Sequence, residues 1–284
     1  MKLRASCASS APRAGAPRQQ QATRLGHAVA LLAVILLPAA ALAQPASGAS
    51  PASALVANPG DRTGTNPANL LDSAEIANDF RAIDEDLFFD TIAWTYRQSL
   101  AHHRLRAGLH LPMVFANVTG RTEAGFGDAT ATLEWAALAR RRAALVAGAD
   151  VEFDTSTNEA LSDAHATLAP SLTLVLGLRE ATLLSVHYHH RVSMGAVADR
   201  PDVNDASLEA SLTTRFANGT WLRAIPAVWF DHERGESSSR LDGEWGRLLA
   251  GGVSTWVRVG GTFGGRAARP FDWHLVTGIR FVRP

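Results

Sequence analysis

The sequence predicts an all-β chain, an antiparallel up-and-down transmembrane β-barrel of about 12 strands. Three observations lead there. Apolar and polar side chains alternate with a period of two over most of residues 74–284, the links between the alternating segments are short and long in strict turn, and an export leader opens the chain.

The leader comes first. Residues 1–27 carry Lys2, Arg4, Arg13, Arg18 and Arg24 without an acid, and the run AVALLAVILLPAAALA follows, closing on Ala41-Leu42-Ala43. A basic region, an apolar run too short to span comfortably and a small-x-small site make a signal peptide over 1–43, cut before Gln44. Cys7 lies upstream of the apolar run, so the exported chain keeps no cysteine, and disulfide and thiol chemistry are excluded. Without the leader, 22 basic residues, all arginine, stand against 27 acidic ones, a net charge of −5 with histidine neutral. That balance, with no basic run, argues against nucleic acid as a partner. Residues 44–73 are rich in Ala, Ser, Pro and Gly and lack a period, so they are expected to form a flexible segment without chemistry, with the barrel occupying 74–284.

The alternation starts weakly, with Ile76, Phe80 and Ala82 against Glu75, Asp79 and Arg81. It strengthens in Ile92, Trp94 and Tyr96 against Thr95 and Arg97, then in Leu105, Ala107, Leu109, Leu111 and Met113 against Arg104, Arg106 and His110. The clearest case is the hairpin from Gly125 to Phe153. There Ala129, Ala131, Leu133, Trp135, Leu145, Ala147, Ala149 and Val151 take one face, and Asp128, Glu134, Asp150 and Glu152 the other. A soluble sandwich would bury the apolar face in a core; a membrane barrel would turn it to lipid and leave the acids in a wet lumen. Leu168, Leu172, Leu174 and Leu176 continue the pattern, as do Leu184, Val186 and Tyr188 against Ser185, His187, His189 and Arg191. Leu208, Ala210 and Leu212 stand against Glu209 and Arg215, Val253, Val257 and Val259 against Trp256 and Arg258, and Trp273, Leu275, Ile279 and Phe281 against Asp272, His274 and Arg280. Segments 221–230 and 240–249 fit less cleanly, because Trp221, Ile225 and Trp229 fall on the polar face.

Short links at 101–103, 139–142, 177–180, 217–220 and 250–252 alternate with longer ones at 115–124, 154–164, 193–205, 231–239 and 264–270. Short turns at one rim and long loops at the other belong to an outer-membrane barrel, whereas a Greek-key sandwich has no reason to alternate them. The weak segment 74–83 brings the strand count to an even twelve. Phe89, Phe115, Phe126, Phe153, Phe216, Phe230, Phe263, Phe271 and Phe281 fall near strand ends, as interfacial girdles would. Against the barrel, Pro112, Pro170 and Pro226 sit inside strands, where each removes a ladder hydrogen bond.

Asn66-Pro67-Ala68-Asn69-Leu70, Gly125-Phe126-Gly127-Asp128 and Glu152-Phe153-Asp154-Thr155 resemble uncharacterised proteobacterial outer-membrane β-barrel proteins, similar to the putative transporter family of the phenol meta-degradation pathway. The resemblance implies a barrel that passes small molecules and carries over no catalytic residue.

The polar face is expected to line the lumen with Arg81, Arg97, Arg104, Arg106, His110, Asp128, Glu134, Asp150, Glu152, His187, His189, Arg191, Glu209, Arg215, Arg223, Asp242, Glu244, Arg258, Asp272 and Arg280. Such charges either orient a polar solute in a passive channel or pair across a narrow lumen and fill it. Trp221, Trp229 and Trp256 on that face form an aromatic patch or mark a misphased strand. His187 and His189 share a face at strand spacing but have no second cluster to complete a metal site, and Ser185 with His187 is a weak hydrolase alternative without a nucleophile motif. The acidic stretches 154–159 and 199–205 have a composition that suits either Ca²⁺ or solvent. No catalytic residue, metal or cofactor is expected. The partners expected are outer-membrane lipid, the outer-membrane assembly machinery and a small-molecule solute.

Overall fold

The computed structural model describes residues 61–84, 87–101, 103–117, 121–157, 161, 166–195, 202–264 and 271–283; the expected signal peptide over 1–43 and residues 44–60 of the segment after it lie outside the described residues. Thirteen strands form one antiparallel sheet: β1 Asp72–Ala82, β2 Phe88–Leu100, β3 Leu105–Asn117, β4 Thr122–Phe126, β5 Ala129–Ala139, β6 Ala143–Phe153, β7 Thr167–Arg179, β8 Thr182–Ser193, β9 Asn204–Arg215, β10 Thr220–Asp231, β11 Glu236–Leu248, β12 Val253–Gly264 and β13 Trp273–Arg283. Each strand pairs with its sequence neighbour, and β1 closes on β13 from Asp72 opposite Arg283 to Ala82 opposite Trp273. The result is a closed barrel of 12 strands with β4 as an extension.

That extension arises from a bulge. Met113 pairs with Phe126 but His110 pairs with Thr130, so three steps along β3 face four along the other strand. The extra residue falls at Gly127-Asp128, opposite Pro112, whose carbonyl accepts the Gly127 N–H at 3.0 Å. Pro112 therefore sits where β3 changes partner from β5 to β4. Pro170 pairs with Ala149 on one side but lies in a gap of the β7–β8 ladder, between Leu168 and Ser171. Pro226 pairs with Leu241 and lies in the gap of the β9–β10 ladder. Each proline thus faces a ladder position that is already open, which is how a closed sheet accommodates it.

The outer surface is apolar. Trp135 and Val259 are more than half exposed, and Ile76, Leu133, Leu222, Trp245 and Ile279 lie on the same side. Side chains this large and this exposed around a whole barrel form a lipid-facing belt. Phe216, Phe281 and Trp135 ring it near the short turns, and Phe126, Phe153, Phe263 and Trp273 near the loops. Phe89 and Phe271 are not part of these girdles. Phe89 has the inward parity of Thr95 and Arg97 and packs on Val114, Ala116 and Leu161, while Phe271 is 3% exposed and stacks on His274 at 4.8 Å.

Loop lengths differ from expectation at two places. The stretch 115–124 is mostly strand, because β3 and β4 continue as a ribbon beyond the rim, and the expected 231–239 loop is only the link between Asp231 and Glu236, turned by Gly235 at φ +65°.

Candidate functional site

The site is the lumen, and its first feature is a strap, residues 61–71, that runs inside the barrel at the short-turn end before β1 begins. Its local structure follows from its side chains. Asp61 Oδ1 accepts from the Thr63 N–H and hydroxyl at 3.1 and 2.7 Å, and Asn66 Oδ1 accepts from the Ala68 N–H at 3.0 Å, two Asx turns in succession. Pro67 takes the second position of a turn in which the Asn69 N–H reaches the Asn66 carbonyl at 3.1 Å. Gly64 supplies a left-handed turn at φ +70°, and a Cβ there would press on the Arg280 side chain.

The strap is anchored on seven strands of the wall. Arg215 of β9 forms an ion pair with Asp61, Arg280 of β13 donates to the Thr63 carbonyl at 3.2 Å, and Arg106 of β3 donates to the Asn69 carbonyl at 3.4 Å. Ala68 packs on Ala144, Val175 and Leu183, and Leu70, 1% exposed, on Ala136 and Val146. Asp61, Thr63, Thr65, Asn66, Ala68, Leu70 and Leu71 are therefore buried while Arg62 and Gly64 stay exposed, and the part of the expected flexible 44–73 segment that the structure describes is a seated strap running into β1. Composition hid the strap because its order depends on wall residues far away in the chain.

Above the strap the inward side chains pair extensively. Arg106 holds Glu134 at 2.6 Å, Arg258 holds Glu244 at 2.6 Å, and Arg280 holds Glu75. Trp221 donates its indole N–H to Glu244 at 2.9 Å. Arg191 meets Asp205 at 2.9 Å and Glu152 at 3.7 Å and lies over the Trp229 ring; Arg240 meets Glu209 at 3.1 Å and Asp242 at 3.0 Å. His189 approaches Asp150 at 3.5 Å, and His110 shares a 2.9 Å hydrogen bond with Thr95. Buried ions survive only with such partners.

Two expected lining residues are elsewhere. Arg104 is exposed in the turn before β3, because the polar alternation ends one residue after it, and Asp272 is exposed ahead of β13. Asp128 sits in the bulge at the loop rim, where its Oδ1 accepts the N–H groups of Thr155 and Ser156, each at 3.0 Å. Its work is to hold the loop after β6. Trp221 and Trp256 do face inward: Trp221 is fully buried against Gly246 and Trp256 against Gly278, where any Cβ would overlap the rings. Small residues on the neighbouring strands make room for indoles on a polar face, so the strands are in phase.

Sequence reading passed over one cluster. His274 lies between Asp242 at 3.1 Å and Asp79 at 3.6 Å, with Phe271 stacked on it, and Asp79 also holds Arg81 at 2.6 Å. The polar parity of all three was visible, but their meeting requires the β1–β13 closure and the β12 gap at Gly260, next to Asp242 and His274. Asp61 carried no signal at all.

Ser185 and His187 do not form a nucleophile–base pair. The Ser185 hydroxyl shares a 2.7 Å hydrogen bond with that of Ser211, and His187 Nδ1 one of 2.8 Å with Thr173. His187 and His189 stack at 6.0 Å, and among the described residues no three His, Cys, Asp or Glu side chains group as metal ligands.

Two cavities lined by described residues lie in the lumen. One, of about 140 Å³ toward the loops, is bordered by His187, Glu209, Trp229, Arg240 and Ala227. The other, of about 170 Å³, lies between the strap and the wall, bordered by Arg97, Arg106, Arg223 and Arg280.

A closed twelve-strand barrel with a lipid-facing belt and a polar, charged interior defines the class: this is an outer-membrane β-barrel of porin-like architecture, a fold of the bacterial outer membrane. Comparison with solved structures agrees. An outer-membrane channel from Pseudomonas putida F1 superposes with a TM-score of 0.59 at 12% identity, covering 80% of this chain and 99% of that one. The NanC porin gives 0.56 at 9% identity, with 73% and 98% covered, and the KdgM porin 0.51 at 9%, with 75% and 99% covered. No family model and no curated protein matches the chain.

Proposed function

We propose that the protein is an outer-membrane channel for small organic solutes, closed at its short-turn end by the strap. The observation that carries this reading is the strap's mode of attachment. It crosses the lumen on one ion pair, two guanidinium–carbonyl hydrogen bonds and two small apolar clusters, and contributes no strand to the wall. Ordering eleven backbone residues costs on the order of 10–20 kcal/mol, comparable with what such contacts return, so the strap is displaceable without unfolding the barrel. Above it, the chamber by Trp229, His187, Arg240 and Glu209 offers a solute an aromatic face together with charges of both signs. That mixture suits small aromatic or other organic acids, the class that the resemblance to the phenol meta-degradation transporters also favours. One of the similar barrels, the KdgM porin, is known in complex with oligogalacturonate, itself an organic acid.

The test is to reconstitute the chain with and without residues 61–71 into planar bilayers and liposomes. Larger conductance steps and faster uptake of benzoate in the shortened chain support the channel. A barrel that folds but conducts nothing in either form is a scaffold with a charge-filled lumen, and the proposal is then lost.

A further inference from the structure

The cavity between strap and wall is bordered by four arginines and a single carboxylate. Among the described residues no carboxylate lies within salt-bridge distance of Arg97, which crosses the wall over Gly108, where a Cβ would stand 3.2 Å from its Cγ. Arg223 is 16% exposed, and its nearest carboxylates, Glu209 and Glu244, are at 3.8 and 4.0 Å, beyond hydrogen-bonding reach. Both are already engaged, Glu209 by Arg240 at 3.1 Å and Glu244 by Arg258 at 2.6 Å and by the Trp221 indole. The Arg223 Nε is buried with no acceptor. Arg106 and Arg280 border the same space, each spending one donor on the strap. The one acid on its border, Asp61, is committed to Arg215.

Buried guanidinium groups without acceptors are costly, and planar N–H forks are the best side-chain match for an oxyanion. We infer that this cavity is an oxyanion-binding site, taking a phosphate or a small carboxylate between Arg97 and Arg223, and that the bound anion bridges the strap to the wall. About 170 Å³ is several times the roughly 30 Å³ share of one water, room enough for such an ion. The inference uses the position of the strap and does not depend on what passes the lumen.

The experiment is calorimetric titration of the purified full-length barrel in detergent with phosphate, acetate and chloride at constant ionic strength, paired with the midpoint of heat-modifiable gel migration in each salt. Conductance is not read, so this result and that of the channel test are separable. Saturable binding and a raised midpoint are expected. Saturation by phosphate alone assigns a tetrahedral anion, and saturation by acetate assigns a carboxylate. Arg97→Gln should weaken binding about 10–100-fold, the loss of a charge-assisted hydrogen-bonding group. Arg97→Lys, which keeps the charge without the fork, should weaken it less and covers the case in which Arg97→Gln does not fold. Arg104→Gln, in the exposed turn, should bind like the parent. The site is refuted if chloride acts like the oxyanions, if no saturable isotherm is found, or if folded Arg97→Gln binds as tightly as the parent.

Discussion

Leu70→Ala should open the channel without weakening the barrel. Leu70 is 1% exposed, and its side chain fills the space between Ala136 of β5 and Val146 of β6, both small enough that neither can collapse into the gap. Truncating a buried leucine in such a setting costs about 2–3 kcal/mol. Because the strap adds no strand to the sheet, that loss falls on strap docking and leaves the ladders untouched. At 1.4 kcal/mol per decade, the docked-to-released ratio should fall by about 30–150-fold. Single-channel recording in planar bilayers reads this directly as a longer open dwell or a larger main step, and the gel-shift midpoint of the same preparation reports the wall. If dwell times and step size match the parent while the gel midpoint drops by several degrees, Leu70 belongs to the barrel's own stability and the strap is no gate.

The remaining expectations follow from individual contacts. Asp61→Asn removes the charge paired with Arg215 and should raise open probability in the same recordings, by less than Leu70→Ala, because the Thr63 and Asn69 carbonyl contacts persist. Gly246→Ala places a methyl inside the Trp221 ring and should cost about 1–3 kcal/mol, read as a lower unfolding midpoint in urea. His274→Leu leaves the fully buried Asp242 carboxylate with Arg240 as its remaining partner and should destabilise the barrel by about 3 kcal/mol or more, whereas the double variant with Asp242→Asn should recover part of that loss. Ser185→Ala breaks only the hydroxyl pair with Ser211 and should cost about 1 kcal/mol with conductance unchanged; an esterase activity that vanished with it would contradict the pairing of these two hydroxyls.

How far the sequence could be read depends on the range over which each feature is decided. Strand alternation is local: Leu133 and Trp135 turn outward and Glu134 inward because neighbouring side chains must alternate, so strands, parity and the closed twelve-strand count followed from short windows. Closure was legible by elimination, since the strand ending at Leu100 needs an antiparallel partner and only the segment around Ile76 is free to provide it. Features set by distant residues were not legible. The bulge at Gly127-Asp128 shifted the parity of Phe126 by one and turned Asp128 from a lining residue into a loop anchor. Asp61 and Asn66 looked like linker residues because their order depends on Arg215, Val175 and Leu183, more than a hundred positions away. The indoles of Trp221 and Trp256 looked misphased until Gly246 and Gly278, on other strands, were seen to receive them.

The strap's anchoring also constrains the order of biogenesis. Its seat is assembled from β3, β5, β6, β7, β8, β9 and β13, so it is incomplete until the last strand has been made and Phe281 has paired with Ala74. The strap, although it precedes every strand in the chain, is thus among the last parts to find its place, and a chain stalled before β13 would expose it. Arg280, which both grips Glu75 across the seam and holds the Thr63 carbonyl, ties the two events together: closing the barrel seam and seating the strap share one side chain, so neither is complete before the other.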